Sequence, residues 1–324
     1  MAKEGNKQAG FALPKIASTE KFCEQPSEMQ KVVASKPLLT TGILAPITLV
    51  AGFLYWLIKT SEGLEALARA DENKNPILGV WIQAPIAASI IYPAGVYFGK
   101  KWMEKRDPFE IQQYVFVYNL YQVILNTWTV YEMIKEVYNN PWYSLKHGFL
   151  PWDHHPQPGF KGFRISFLVW VHYNNKFVEL LDTLWMVLKK KNKQISFLHC
   201  YHHMLLIWVW WHCCSICPGG ESWFGACINS LIHVYMYGYY TLALLKIPVG
   251  FMKIYMTSAQ MIQFVICLAH ACYVAFYSRT CPFELCCDPA FVMTNMLYLF
   301  GNFFYKSYVK DKGKGKGKET KKSQ

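Results

Sequence analysis

Eight stretches of about 20 mostly apolar residues recur along the chain, each long enough to cross the hydrocarbon of a bilayer as a helix at about 1.5 Å per residue. Few features narrow a fold so far. In hydrocarbon every backbone N–H and C=O must find its partner inside the protein, which favours helices over open sheets. The stretches lie near 38–58, 77–98, 112–137, 165–188, 196–213, 222–246, 254–277 and 289–309, separated by short basic or Pro- and Gly-rich segments. With 53% hydrophobic residues in a chain of 324, the fold expected is an all-α polytopic membrane protein. No internal repeat and no soluble segment long enough to fold alone is visible.

The expected organisation is a cytosolic tail over 1–36, a hydrophobic segment with its loop over 37–76, one membrane domain over 77–310 and a basic tail over 311–324. Gly42, Pro46 and Gly52 interrupt the first stretch, so it could span, re-enter or lie along the surface. The opening "MAKEGNKQAGF" lacks the apolar core of a cleaved signal peptide. Basic residues set the orientation. Lys100, Lys101, Lys105, Arg106, Lys189, Lys190, Lys191, Lys193, Lys246, Lys253 and the lysines of the tail fall on one side. Lys59, Arg69, Lys74, Lys135, Lys146, Lys161, Arg164 and Arg279 fall on the other. The richer side is the cytosolic one and holds the C-terminus. The formal net charge of +12 then belongs to loops and tails beside anionic lipid headgroups, and nothing points to nucleic acid. The chain ends in Lys321-Lys322-Ser323-Gln324, the two-lysine form read by the retrieval machinery of the endoplasmic reticulum. Cys213, Cys214, Cys217, Cys281, Cys286 and Cys287 fall near lumenal turns, where disulfides can persist.

Ionisable residues inside a membrane must each find a partner or a wet cavity, so they mark candidate sites. Lys176, Glu179 and Asp182 recur three apart in "KFVELLDT", along one helical stripe. "FLHCYHH" places His199, His202 and His203 on one face of the next helix, and "NSLIHVYMYGYY" places Asn229, His233, Tyr237 and Tyr240 on one face of the following one. "TSAQMIQ" contributes Gln260 and Gln263. Counting from the cytosolic helix ends at about 1.5 Å per residue, Asp182, His202 and Gln260 lie about 9 Å deep, Glu179 and Tyr237 about 14 Å and His233 about 20 Å. Four helices thus bring polar groups to one layer. His147, His154, His155, His172, His212 and His270 are read as solvated loop or satisfied helix-end residues.

Two chemistries use a histidine box on a membrane helix. A di-iron oxygenase needs about eight nitrogen ligands around two metals. Only His199, His202, His203 and His233 share a depth, and no second box occurs. The other chemistry is covalent catalysis, in which a neutral imidazole attacks an acyl thioester and neighbouring groups orient it and stabilise the oxyanion. A ligand-binding transporter or receptor is a third possibility compatible with buried polar groups.

These four stretches, in this order, resemble the signature motifs of the ELO family of very-long-chain fatty acid elongases. The likeness covers about 77–310, and "GKKWMEKRDPFE" resembles the family's first cytosolic loop. The resemblance implies seven family helices, six of them forming a barrel around an acyl tunnel, with the 38–58 segment as an added N-terminal hydrophobic helix. It implies a 3-oxoacyl-CoA synthase of the endoplasmic reticulum membrane that condenses acyl-CoA with malonyl-CoA. His202 takes the acylated role and His233 assists. No bound cofactor or metal is expected. The reductases and dehydratase of the elongation cycle, and a second copy of the chain, are expected partners. "QISFLHCYHH" and "CPGGESWF" lean toward the elongases of polyunsaturated chains. Lys189, Lys190 and Lys191, beside the histidine box, are candidates for holding the CoA phosphates. The inward face of the histidine helix continues through Ile207 to Trp210, which is then either the floor of the tunnel or an interfacial anchor facing lipid.

Overall fold

A computed structural model describes residues 80–139, 160–216, 221–277 and 283–310, all within the compact unit Thr48–Gln324. The first hydrophobic segment, the N-terminal tail, His147, His154, His155 and the two-lysine terminus lie outside the described residues. Among the described residues eight α-helices follow one another: α1 Gln83–Met103, α2 Gln112–Asn139, α3 Phe160–Val178, α4 Leu181–Leu188, α5 Phe197–Ile216, α6 Ser222–Leu244, α7 Met252–Tyr277 and α8 Phe283–Phe304. A short π-helix, Tyr305–Lys310, continues α8. Among the described residues there is no strand. By length and composition one described helix, Met252–Phe276, is apolar enough to cross a membrane unaided. The other long helices carry the Asn, Gln, His and Tyr side chains that face the interior.

The expected single helix over 165–188 is interrupted at Glu179 and Leu180. There the backbone closes through i→i−3 bonds, Leu180 N–H to Phe177 C=O (3.2 Å), Asp182 to Glu179 (3.1 Å) and Thr183 to Leu180 (3.2 Å). This tighter turn superposes residues three apart, so it stacks the acidic side chains of the "KFVELLDT" stretch. The last helix also starts earlier than expected, at Phe283, and carries Pro289 inside it.

Packing between helices closes on itself. α2 packs on α6, α6 on α7, α7 on α8, α8 on α5, α5 on α3 and α3 on α2, while α1 lies against α4 and α5. Met133, Val137, Ile165, Leu168, Val169, Leu206, Trp210, Phe264, Val292 and Met296 belong to the largest buried cluster. α1 is tied on by the Trp208 indole N–H, which donates to Ser89 Oγ at 2.9 Å. At one end the neighbours of this circuit are linked by ion pairs: Arg164 with Glu132 at 2.7 Å, His270 with Glu221 at 3.4 Å and His212 with Asp288.

The opposite end carries the lysine-rich loops. α4 and α6 both finish in Schellman turns. Lys191 N–H reaches Met186 C=O (2.8 Å) and Lys190 N–H reaches Val187 C=O (3.0 Å), while Ile247 and Lys246 do the same to Leu242 and Ala243 (3.1 Å each). The left-handed position, usually glycine, is held by Lys190 (φ 53) and Lys246 (φ 61), at about 1–2 kcal/mol each. At Lys190 the side chain compensates: its Nζ donates to Arg106 C=O at 2.9 Å and Glu104 C=O at 3.2 Å. Phe109 N–H donates to Leu188 C=O at 3.0 Å, so the α1–α2 and α4–α5 loops form one braced surface.

Candidate active site

The α3–α4 break presents Glu179 to three helices. Its side chain and that of Lys176 are each 1% exposed. Such burial is tolerated only when charges are paired and their remaining valences filled. Lys176 Nζ donates to Glu179 Oε1 at 2.8 Å and Oε2 at 3.2 Å, and to Asn229 Oδ1 on α6 at 3.0 Å. Asn175 Nδ2 donates to Glu179 Oε1 at 3.0 Å and to Gln122 Oε1 on α2 at 2.9 Å. Asn126 Nδ2 donates to the same Gln122 oxygen at 3.1 Å. His233 Nδ1 stands 3.1 Å from Glu179 Oε1 but off the line of a hydrogen bond, close enough for the carboxylate to stabilise an imidazolium.

One turn on, Tyr237 OH donates to Asp182 Oδ2 at 2.7 Å. The Tyr118 hydroxyl lies 3.3 Å from that of Tyr237, and Gln122 Nε2 donates to Tyr118 OH at 3.4 Å. The Tyr240 ring is 6.0 Å from that of Tyr237. A third chain runs from α1: the Tyr92 and Thr183 hydroxyls are hydrogen-bonded at 2.8 Å, and Thr183 Oγ1 lies 2.8 Å from His199 Nε2. His199 packs edge-on to His203 (4.5 Å between rings), which packs on His202 (5.5 Å). Two box histidines are thereby oriented through their neighbours. His202, partly buried, makes no hydrogen bond among the described residues.

The structure therefore brings Lys176, Glu179, Asp182, His199, His202, His203, Asn229, His233, Tyr237 and Tyr240 into one neighbourhood. Gln263 is buried beside it. Gln260 stands apart, its Nε2 meeting only the Met236 sulfur at 3.9 Å. In the lysine loop Lys191 is exposed, Lys189 is half-buried, and Lys190 is occupied by the carbonyls of Glu104 and Arg106. Burial, and then Lys191 nearby, hold the Lys189 ammonium below its ordinary range. Among the described residues no group of three or more His, Cys, Asp or Glu side chains converges as a metal-ligand set.

Several participants escaped the sequence reading. Tyr118, Gln122 and Asn126 are spaced four apart on α2, all buried, a polar stripe that the i, i+4 spacing in "YNLYQVILN" would have disclosed. Tyr92 carries no such signal, since its partner lies on another segment, whereas Asn175 stands four residues before Glu179 and could have been added to that stripe. His172 is a correction. It is neither a loop residue nor a helix-end residue but a buried one inside α3, its Nδ1 2.9 Å from Ser230 Oγ and its ring 4.5 Å from that of Trp210.

From this layer a cavity of about 90 Å³ runs between α5, α6, α7 and α8. Asn229 and Gln263 line it nearest the site, Leu206, Val209 and Trp210 along its length, and Glu221, His270 and Cys286 at the other end. Trp210 is 8% exposed and faces this space, yet the cavity continues past it. Its indole is a wall, not the expected floor.

Residues 78–316 match the ELO family, described as the GNS1/SUR4 family. The chain belongs to the ELO family. Its members are polytopic membrane proteins, which accounts for exposed apolar side chains such as Ile90 and Ile91 on α1 and Ile262 and Val265 on α7. Among relatives, very long chain fatty acid elongase 7 of Rattus norvegicus is 31% identical over 74% of this chain and 87% of its own. Very long chain fatty acid elongase 4 of Homo sapiens is 33% identical over 72% and 74%. Very long chain fatty acid elongase 5 of Mus musculus is 32% identical over 71% and 76%.

Proposed function

We propose that this ELO-family chain is a 3-oxoacyl-CoA synthase, catalysing the condensing step of fatty acid elongation. The observation that carries the reading is the buried polar layer. Side chains of several helices gather around Glu179, His233 and the histidine box on the side of the bundle bearing the lysine loops, and an apolar cavity lies beyond Asn229 and Gln263 of this layer. An acyl-CoA entering from the lysine-rich side puts its charged CoA in water and directs its hydrocarbon along the line of this cavity, which widens to admit it, as burial energetics favour.

In the first step the His202 imidazole attacks the thioester carbon; the C–S bond breaks and CoA leaves, giving an acyl-imidazole. In the second, malonyl-CoA loses CO2, and the carbanion formed attacks the acyl carbon, releasing His202 and giving a 3-oxoacyl-CoA two carbons longer. Glu179, fixed by Lys176 and Asn175, supports charge on His233, while the Tyr92–Thr183–His199 chain holds the box in orientation. The dry cavity protects the acyl-imidazole from hydrolysis.

Lys189 and Lys191 are the lysines available for CoA phosphates, with Lys190 bracing the surface they stand on. The closed circuit of α2, α6, α7, α8, α5 and the α3–α4 pair supports a six-helix barrel around the acyl tunnel. The reading includes residence in the endoplasmic reticulum with a cytosolic C-terminus, polyunsaturated substrates, and partnership with the cycle's reductases and dehydratase or a second copy.

The test is acylation. Purified protein given acyl-CoA alone should gain one acyl group on the peptide containing His202, by intact-mass and peptide mass spectrometry. His202→Ala should abolish both adduct and condensation while remaining folded. An undiminished adduct in that variant would reject His202 as nucleophile.

A further inference from the structure

His172 is an unusual buried group. It uses Nδ1 on Ser230 Oγ at 2.9 Å, one helical turn from Lys176 on α3, and leaves Nε2 buried without a hydrogen-bond partner. A buried imidazole satisfied at only one nitrogen costs stability, so something must be gained from its position. Its neighbour supplies the reason: the ring packs edge-to-face on Trp210 at 4.5 Å and 73°, the geometry aromatic pairs prefer. The indole has a second neighbour. A Cβ on Gly225 would sit 3.7 Å from Trp210 Cη2, so the indole lies against bare glycine backbone on α6. Ser230, also on α6, is fully buried. The Trp210 ring thus packs on His172 of α3 and lies beside Gly225 of α6, and the Ser230 bond joins those two helices.

The place of this clamp matters more than its tightness. Trp210 is eight residues beyond His202 on α5, about 12 Å along the helix. That is the length of about nine or ten extended methylene groups. The cavity continues beyond it to Glu221 and Cys286, so the indole borders the middle of a long acyl chain rather than its end.

We propose that His172 and Ser230 are positioning residues that fix Trp210 as a rigid mid-chain wall. Through it they make the enzyme discriminate between straight and cis-bent acyl chains of equal length. This rests on the condensing reading given above. A saturated chain passes the wall extended, whereas a cis double bond near the ninth carbon turns the chain just where the wall stands. With His172 removed, the indole can rotate into the vacated space and the two shapes become more nearly equivalent.

The experiment compares kcat/KM for stearoyl-CoA and oleoyl-CoA in the full-length protein, each divided by the value for octanoyl-CoA from the same preparation. Octanoyl chains stop short of Trp210. The wild type should favour one C18 chain over the other several-fold. His172→Ala and Trp210→Ala should each move that ratio at least threefold toward one, and the double variant no further than Trp210→Ala alone. Ser230→Ala, which keeps the packing, should move it in the same direction by less and serves if His172→Ala does not fold. A wild-type ratio of one, an unmoved ratio in both His172→Ala and Ser230→Ala, or additive shifts in the double variant would overturn the proposal. Absence of condensation in the wild type would instead overturn the functional reading beneath it.

Discussion

Glu179→Gln removes one charge from the centre of the site while preserving its shape. In the wild type Lys176 Nζ is 2.8 Å from Glu179 Oε1, and with an effective dielectric of about 20 that contact is worth about 6 kcal/mol of attraction. Desolvating both charges consumes most of this. Breaking one partner of a buried pair nevertheless costs about 3–5 kcal/mol, because the remaining ion stays buried without compensation. In the variant Lys176 would keep Asn229 Oδ1 at 3.0 Å and an amide oxygen, but no counter-charge. A loss of about 4 kcal/mol lowers the unfolding midpoint by about 6 °C in a chain of this size. Thermal unfolding in detergent, followed by tryptophan fluorescence, measures it. Lys176→Met combined with Glu179→Gln removes both charges and should recover most of the lost stability, since the uncompensated ion is then gone. Condensation should stay at least tenfold below wild type in both, because His233 lacks its carboxylate. A single variant as stable as wild type would refute the ion-pair reasoning, and a fully active double variant would refute the role given to Glu179.

Gly99→Ala should destabilise by about 1–3 kcal/mol, because a Cβ there would sit 3.2 Å from Val187 Cγ1 and that branched side chain is buried; thermal unfolding against Gly95→Ala, where the space is open, is the comparison. Lys190→Gly relieves the left-handed backbone but discards the ammonium that holds Glu104 and Arg106, whereas Lys190→Ala loses both; proteolysis of the 104–111 loop should increase in both, and more in Lys190→Ala. For Lys189 the depressed ammonium means that its proton leaves at lower pH than an ordinary lysine's, so the KM for malonyl-CoA should begin to rise earlier on the alkaline side, and Lys189→Met should remove that early component. Neutralising Lys189 and Lys191 together should raise the same KM strongly at low salt and little at high salt; equal KM values at both ionic strengths would leave phosphate binding to other groups.

The apolar stretches and their polar interruptions were legible because both are one-dimensional facts. Chain length across a membrane and the three- or four-residue spacing of side chains follow from helix geometry alone. So Lys176, Glu179 and Asp182 could be placed on one stripe, and His199, His202 and His203 on one face, before any neighbour was known. Their common depth followed from counting. Which side chains complete the site did not follow, because a hydrogen bond between helices depends on which helices touch and at what rotation. Tyr92 reaches Thr183 across 91 residues of sequence, and His172 reaches Ser230 across 58; neither leaves a periodic trace. The break at Glu179 and Leu180 was hidden for a related reason. The stretch carries neither proline nor glycine there, and only the surrounding helices make the tighter turn worthwhile by supplying partners for the groups it presents. Lys190 read as one more membrane-flanking charge, until the left-handed turn aimed its ammonium at the carbonyls of a distant loop. Trp210 was correctly turned inward by helical spacing, yet whether it ends the cavity or borders it depends on how far α6, α7 and α8 hold the space open beyond it, a matter of packing that no single helix encodes.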